Sequence, residues 1–282
     1  MVLEQLYGSD FLVRHPIVGF LLGFGYTIVG VALSMLLFPD DPALIAVGIT
    51  AILTIPTLSL VANKEQTSLE NGLLPALREH LPLTKLYVAL FFGSFAAFAV
   101  FALALPSLAT NILFKQQLSV LFGKAFGPID WSNSLFFDIF INNIKVFLLC
   151  FILALMAGNG AVLMILWQSS VWGTIFGNIA KVSALKIAAN PLIIIVLILI
   201  AVLPHVFLEI LSYILSVVAG TSISSKIASQ SLLSEETSNA LMLNLVVLGI
   251  GFIVLLLAAF VEVLVLKNVT LYHTISQFAF KP

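Results

Sequence analysis

Seven long apolar stretches constrain the folding of this 282-residue chain more than any other feature. An α-helix rises about 1.5 Å per residue, so roughly 20 apolar residues are needed to cross a hydrocarbon core of about 30 Å. Each stretch reaches or approaches this length, and together they predict an all-α, polytopic bundle of transmembrane helices. The seven predicted spans are Ile17–Phe38, Ala43–Ala62, Leu86–Leu105, Leu135–Ala157, Ala161–Ile179, Leu192–Val218 and Ala240–Leu266.

The composition excludes a water-soluble globular fold. Apolar residues make up 61% of the chain and charged residues 9%, whereas soluble domains contain roughly 45–50% and about 25%. The mean hydropathy is +1.17. The net charge is −1, and the chain has no long basic stretch that would follow a phosphate backbone, which excludes nucleic acid as a partner. We therefore predict a multi-pass protein of the cell membrane with the lipid bilayer around it.

Two glycines predict a tight helical hairpin between the fourth and fifth spans. The apolar residues from Leu135 to Ile179 are too many for one crossing, and the sequence Gly158-Asn159-Gly160 is the break among them. Glycine is a strong local breaker of helical patterns. A six-crossing alternative, which treats these residues as one span, is therefore disfavoured.

The connections between spans carry helix signals of their own. Thr67-Ser68-Leu69-Glu70 fits a capping box, and Ser234, followed by two glutamates, fits an N-cap. The segment Leu113–Gly123 has a narrow apolar face, and polar residues lie elsewhere around the helix. The apolar residues are Phe114, Leu118, Leu121 and Phe122, and the polar ones are Lys115, Gln116, Gln117 and Lys124. Because this segment has about half the length of a span, we predict a helix that lies flat in the membrane interface.

The fourth span contains the most unusual polar residues. Asp138, Asn142 and Lys145 are spaced i, i+4 and i+7, so they form one stripe along a helix, and Asn143 lies next to it. A charged side chain in hydrocarbon costs at least about 2.5–3.5 kcal/mol on insertion scales. The stripe either fixes the packing of neighbouring helices or lines a polar path. In both cases we expect it to face the sixth span inside the bundle.

The sixth span contains Pro204, His205 and Glu209. The proline removes the amide hydrogen that would bond the carbonyl of Ile200. His205 and Glu209 share a helix face at i, i+4 spacing, so they are expected to interact. Glu209 is also the expected counter-charge for Lys145 of the fourth span.

The residues give weak support for catalysis. His205 and Glu209 supply two metal ligands, whereas a zinc site takes three or four protein ligands. Ser169 and Ser170 are candidate nucleophiles for a serine hydrolase with His205 as base, but no supporting motif surrounds them. We therefore expect no catalytic residue, no metal site and no cofactor. Two small-xxx-small patterns, Gly19/Gly23 and Gly173/Gly177, predict close helix packing instead.

The segments from Phe136 to Lys145 and from Leu203 to Glu209 resemble the stage II sporulation protein M family. That family's pattern has a paired-asparagine motif that opens one span, and Pro-His-Gly followed by Phe-Glu in a later span. The matching residues are Asn142, Asn143, Pro204, His205, Phe207 and Glu209. Val206 replaces the glycine that usually follows the histidine, and Ser169-Ser170 stand where an Asn-Gly pair is often found.

The resemblance implies an integral membrane protein without a known catalytic activity. In spore formers the family member scaffolds cell-wall hydrolases during engulfment. The resemblance further implies three parts of the chain: an N-terminal helical hairpin and polar connection in residues 1–85, a five-helix membrane core in residues 86–266, and a C-terminal tail in residues 267–282.

Three functions from different classes follow as hypotheses. The leading one is a non-enzymatic scaffold or assembly factor for a membrane complex, with membrane-protein partners or self-association. The second is a permease component with a polar intramembrane cavity, driven by a gradient or by a separate ATPase. The third is an intramembrane metal-dependent hydrolase that uses His205 and Glu209.

Overall fold

The computed structural model describes residues 8–40, 42–62, 72–125, 134–229 and 235–268. This part of the chain is helical apart from short connections, and one 3-10 turn, Gly158–Ala161, separates two of its helices. The α-helices are α1 (Ser9–Arg14), α2 (Pro16–Leu37), α3 (Pro42–Ala62), α4 (Leu73–Glu79), α5 (Leu81–Ala104), α6 (Ser107–Leu113), α7 (Lys115–Ala125), α8 (Ser134–Ala157), α9 (Val162–Ile187), α10 (Pro191–Ser229) and α11 (Glu235–Asn268).

The long helices confirm the predicted all-α bundle. Six stretches of the described chain are long and apolar enough to cross a membrane, and the longest, Leu135–Ile187, contains both α8 and α9.

The predicted sixth span continues as helix for about three more turns, to Ser229. This extension is stabilised by packing, since Asn244 Nδ2 of α11 donates to Ser222 Oγ of α10 at 3.1 Å.

The chain reverses at the 3-10 turn, as the glycines predict. Gly158 has a φ of +53°, a conformation that a residue without a Cβ adopts readily. Helix α8 runs parallel to α10, because Ser216 lies against Phe147 and Gly220 against Phe151. Helices α9 and α10 are joined by a short turn and pack against each other, so they are antiparallel. Because α8 is parallel to α10, α8 and α9 run in opposite directions. The predicted pair of helices is therefore confirmed.

The two arms of this hairpin diverge. Helix α8 packs on α10 and α11, whereas α9 packs on α5 and α10. Because α8 and α9 pack on different neighbours, they diverge from their hairpin and leave space between them.

The end of α9 is set locally, since Ala188 adopts a left-handed conformation with a φ of 51°. Asn190 Oδ1 then accepts a hydrogen bond from the backbone N–H of Leu192 at 2.9 Å and caps α10.

Close approach of helices at glycine confirms both small-residue patterns. A Cβ added at Gly173 would lie 2.6 Å from the Phe95 carbonyl oxygen, and one added at Gly177 would lie 2.7 Å from that of Ala99. A Cβ at Gly23 would overlap the backbone of Leu90. These contacts bring α5 against α9 on one side and against α2 on the other.

Polar bonds between helices accompany this packing. Small hydroxyl and amide side chains are compatible with apolar spans when they bond across helices. Four examples are Thr27 Oγ1 to Ser94 Oγ (2.8 Å), Tyr26 OH with Thr57 Oγ1 (3.2 Å), Ser169 Oγ to the Phe91 carbonyl (3.2 Å), and Ser216 Oγ to the Phe147 carbonyl (2.7 Å).

The segment expected at the membrane interface is helical, but it docks on the bundle. Phe114, Gln117 and Leu118 are all buried, and α7 packs on α9 and α3. Gln117 Nε2 donates to the Ala43 carbonyl at 3.1 Å and to Ser170 Oγ at 3.4 Å. The prediction that lipid covers the apolar face was wrong for Phe114 and Leu118, because protein covers both side chains and Gln117 finds its partners in the bundle. The other two residues of that face, Leu121 and Phe122, have side chains that the structure does not describe.

Some expectations fall on other parts of the chain. The capping box Thr67–Glu70 and the N-cap at Ser234 lie outside the described residues. The division into residues 1–85, 86–266 and 267–282 stays a prediction.

Candidate functional site

A polar cavity lies inside the helical bundle, where α8 and α9 diverge. Its volume is about 350 Å³, and helices α7, α8, α9, α10 and α11 contribute to its wall. Polar groups inside a membrane bundle are costly and mark candidate functional sites. The lining residues are Val120, Asn142, Asn143, Val146, Trp167, Gln168, Val171, Trp172, Glu209, Tyr213 and Glu262.

Helix α8 contributes the paired asparagines to this cavity. Asn142 Nδ2 donates to Asn143 Oδ1 at 3.1 Å. Asn143 is only 5% exposed, and its Nδ2 has no hydrogen-bond partner within the described part of the chain. Leaving a buried polar group unpaired costs about 1–3 kcal/mol. Asn143 therefore presents a buried N–H donor at the wall of the cavity.

Helices α10 and α11 contribute two carboxyl groups. Glu209 is 9% exposed, and the hydroxyl of Tyr213, one turn further along α10, donates to its Oε1 at 2.7 Å. Helix α11 runs back along α10, since Gly251 lies against Leu215. This antiparallel packing brings Glu262 to the same cavity as Glu209.

The structure divides the stripe predicted along the fourth span. Asn142 and Asn143 line the cavity, whereas Asp138 and Lys145 are exposed on the surface of the bundle. The expectation that the whole stripe faces the sixth span was therefore wrong. The expected ion pair between Lys145 and Glu209 was also wrong, because Lys145 lies outside the cavity and Tyr213 bonds Glu209 instead.

The remaining predicted site residues, Pro204 and His205, do not line the cavity. His205 is 8% exposed and its Nδ1 has no hydrogen-bond partner among the described residues, so the expected contact with Glu209 is not made through that atom. Pro204 is exposed and borders a separate apolar groove. The other residues of this groove are Phe92, Ile200, Leu203 and Phe207.

The candidate groups for hydrolysis are not brought together. Among the described residues, no three His, Cys, Asp or Glu side chains form a group that could hold a metal ion. Ser170 Oγ donates to the Trp167 carbonyl at 2.8 Å, and Ser169 Oγ is bonded to α5. Both hydroxyls are thus engaged in bonds to the backbone.

Sequence reasoning missed several residues of the cavity. A signal existed for Glu262, which is a charged residue inside the predicted seventh span, and for Gln168, which is a polar residue inside the fifth. The tryptophans Trp167 and Trp172 and the tyrosine Tyr213 carry no such signal, because aromatic residues are common in apolar spans. The functional role of the predicted cluster stays a prediction.

The fold and the cavity together define a polytopic α-helical membrane protein with a polar site in its core. Comparison with known proteins gives the family. The profile of stage II sporulation protein M matches residues 88–265, so the chain belongs to the stage II sporulation protein M family. No curated protein and no solved structure matches the chain.

Proposed function

We propose that this protein is a non-enzymatic scaffold or assembly factor of the cell membrane, which holds another integral membrane protein against α8. The observation that carries the proposal is the exposed position of Lys145 near the middle of this helix. The residues around it on the same exposed face are apolar, among them Ile141, Leu148 and Ile152. The face is therefore suited to the membrane interior except for its charge.

A partner helix removes the cost of this charge. A lysine within a span costs about 2.5–3.5 kcal/mol on insertion scales, and an acidic residue at the same depth on a partner offsets that cost by pairing with it. Asp138 lies seven residues earlier on the same exposed face. The partner expected here is a transmembrane helix with an acidic residue opposite Lys145 and a basic residue opposite Asp138.

Charge also distinguishes such a partner from a second copy of this chain. Closed dimers are usually two-fold symmetric, with the same patch on both subunits. In a membrane that axis is parallel to the bilayer normal, so Lys145 would face Lys145 of the second copy. Like charges in this position repel, which favours a different protein as the partner.

A photo-crosslinking residue at Leu148 tests the proposal in the native membrane. We expect an adduct with another integral membrane protein, and we expect Lys145→Leu to abolish it. Met242, which is 65% exposed on α11, gives the matched control position and should not form that adduct. An adduct that survives Lys145→Leu, or adducts with only lipid or a second copy, would contradict the proposal.

The polar cavity favours a second candidate, a permease component. Clefts with a few convergent polar groups are the usual sites of small ligands, and this cavity lies within a bundle that crosses the membrane. Purification of the crosslinked complex separates the two candidates. A stoichiometric ATPase subunit would favour the permease, whereas a membrane partner held through Lys145 favours the scaffold. The hydrolase gains no supporting observation from the described residues and is not proposed.

A further inference from the structure

We propose that the polar cavity binds a single hexose ring, which is a neutral ligand with hydroxyl groups around its edge and C–H groups on its two faces. The cavity volume of about 350 Å³ lies near the lower end of the roughly 300–1,000 Å³ that small-molecule sites occupy. The site therefore suits one ring rather than a chain of several sugars. Binding at this cavity does not depend on a partner at Lys145, so the failure of either proposal leaves the other standing.

Amide side chains stand on two different walls of the cavity. Asn142 and Asn143 come from α8, and Gln168 comes from α9. Asn143 is 5% exposed and its Nδ2 has no hydrogen-bond partner among the described residues, so a ligand with an acceptor atom relieves the cost of this buried donor. An amide group both donates and accepts hydrogen bonds, and each hydroxyl group of a sugar does the same. A ligand that bonds both walls needs polar groups on two sides.

The walls formed by α10 and α11 are polar as well. The hydroxyl of Tyr213 donates to Glu209 Oε1 at 2.7 Å, and its oxygen can still accept a hydrogen bond. The carboxyl groups of Glu209 and Glu262 also border the cavity, and carboxyl oxygens accept hydrogen bonds in both protonation states. The match with hydroxyl groups therefore does not depend on the charge of these two residues. Polar groups on four helices favour a ring with hydroxyl groups along its whole edge.

Two indole rings narrow the ligand further. Trp167 and Trp172 border the cavity about 140° apart around α9, and Gln168 and Val171 lie between them on the same face. Trp172 is held in place by the buried ring of Phe91, whose centroid lies 5.7 Å away at an interplanar angle of 81°. Aromatic rings offer a large apolar contact area, and the C–H faces of a hexose ring supply the matching surface. An acyclic polyol has no such face, so the lining favours a ring.

The tryptophans supply the signal for a direct binding test. The chain has three tryptophans, and a Trp131→Phe background leaves Trp167 and Trp172 as the reporters. The protein is placed in phosphatidylcholine nanodiscs, because glucoside and maltoside detergents would bring sugars of their own. D-glucose, D-galactose and D-mannose are titrated while tryptophan emission is recorded. We expect saturable binding of at least one hexose, and no saturable signal with glycerol or with tetrahydropyran-2-methanol, which keeps the ring but lacks its hydroxyl groups.

The same ring occurs as a free sugar and as the headgroup of a glycolipid. The titration is therefore repeated in nanodiscs that also contain a monoglycosyl diacylglycerol with the hexose that binds most tightly. Weaker binding of the free hexose in these discs would assign the cavity to the headgroup, and equal binding would assign it to the free sugar.

Variants assign the binding to the cavity. Asn143→Leu and Gln168→Leu each remove one amide from a different wall and keep the size of the side chain, and each is expected to weaken hexose binding at least about tenfold. Asn111→Leu, at an exposed position of α6, is the matched control and should leave binding unchanged. Thermal unfolding shows that each variant is folded, and Gln168, which is only partly buried, serves if Asn143→Leu does not fold. Absence of saturable binding by all three hexoses, equal binding of tetrahydropyran-2-methanol, or undiminished binding by Gln168→Leu would overturn the proposal.

Discussion

Replacing Gly23 with alanine is expected to destabilise the bundle by about 2–3 kcal/mol, the upper range for overpacking. A Cβ at Gly23 overlaps the backbone of Leu90, and backbone atoms of a packed helix do not move aside individually. Helices α2 and α5 would have to separate along their whole contact. Thermal unfolding in detergent, followed by size-exclusion chromatography, measures the loss.

Gly25 gives a matched control in the same helix. A Cβ at this position has no neighbouring atom within 4 Å, and alanine favours a helix over glycine by about 1 kcal/mol. Gly25→Ala is therefore expected to be neutral or slightly stabilising. Equal stability of the Gly23→Ala and Gly25→Ala variants would show that the close approach of α2 and α5 does not hold the bundle together.

Replacing Lys181 with methionine is expected to cost about 3 kcal/mol, because two hydrogen bonds from a charged group are lost at once. Lys181 is 8% exposed. Its Nζ donates to the Leu105 carbonyl at 3.0 Å and to Thr110 Oγ1 at 2.9 Å. The Leu105 carbonyl lies at the C-terminal end of α5. Carbonyls there lack helical partners, and the helix dipole favours a cation. The lysine thus joins α9, α5 and α6.

Two further variants separate this role from a general effect of charge. Lys181→Arg keeps the charge and should restore part of the lost stability. Lys186→Met, at an exposed position of the same helix, should cost less than about 1 kcal/mol. If Lys181→Met and Lys186→Met unfold at the same temperature, Lys181 does not anchor α6. The measurement is the unfolding temperature of each purified variant.

The long spans could be predicted because length and hydropathy are properties of the chain itself. A run of about 20 apolar residues has the same meaning wherever it packs. The break at Gly158 and Gly160 was also local, since backbone conformation there depends on the glycines and not on distant residues. The spacing of small residues also predicted close helix contacts at Gly23 and Gly173. It did not predict which helix each glycine would contact.

The candidate site could be predicted only in part. The paired asparagines and Glu209 were identified as polar residues in apolar spans, and the structure places all three at one cavity. Lys145 was assigned to the wrong side of its helix. Asn142 and Lys145 are three positions apart, about 60° around a helix, so a modest rotation decides which of them faces inward.

The sequence alone determined three things about this protein. It is a bundle of membrane-crossing helices, its chain reverses at Gly158 and Gly160, and certain polar residues lie inside its spans. The tertiary structure decided the rotation of each helix and the meeting of Asn143, Glu209 and Glu262 at one cavity. In a soluble protein the apolar stripe of a helix sets its rotation. Helix α8 is largely apolar on its exposed face as well as on its buried face. Its rotation is set instead by close contacts with α10, at Gly220 and Ser216.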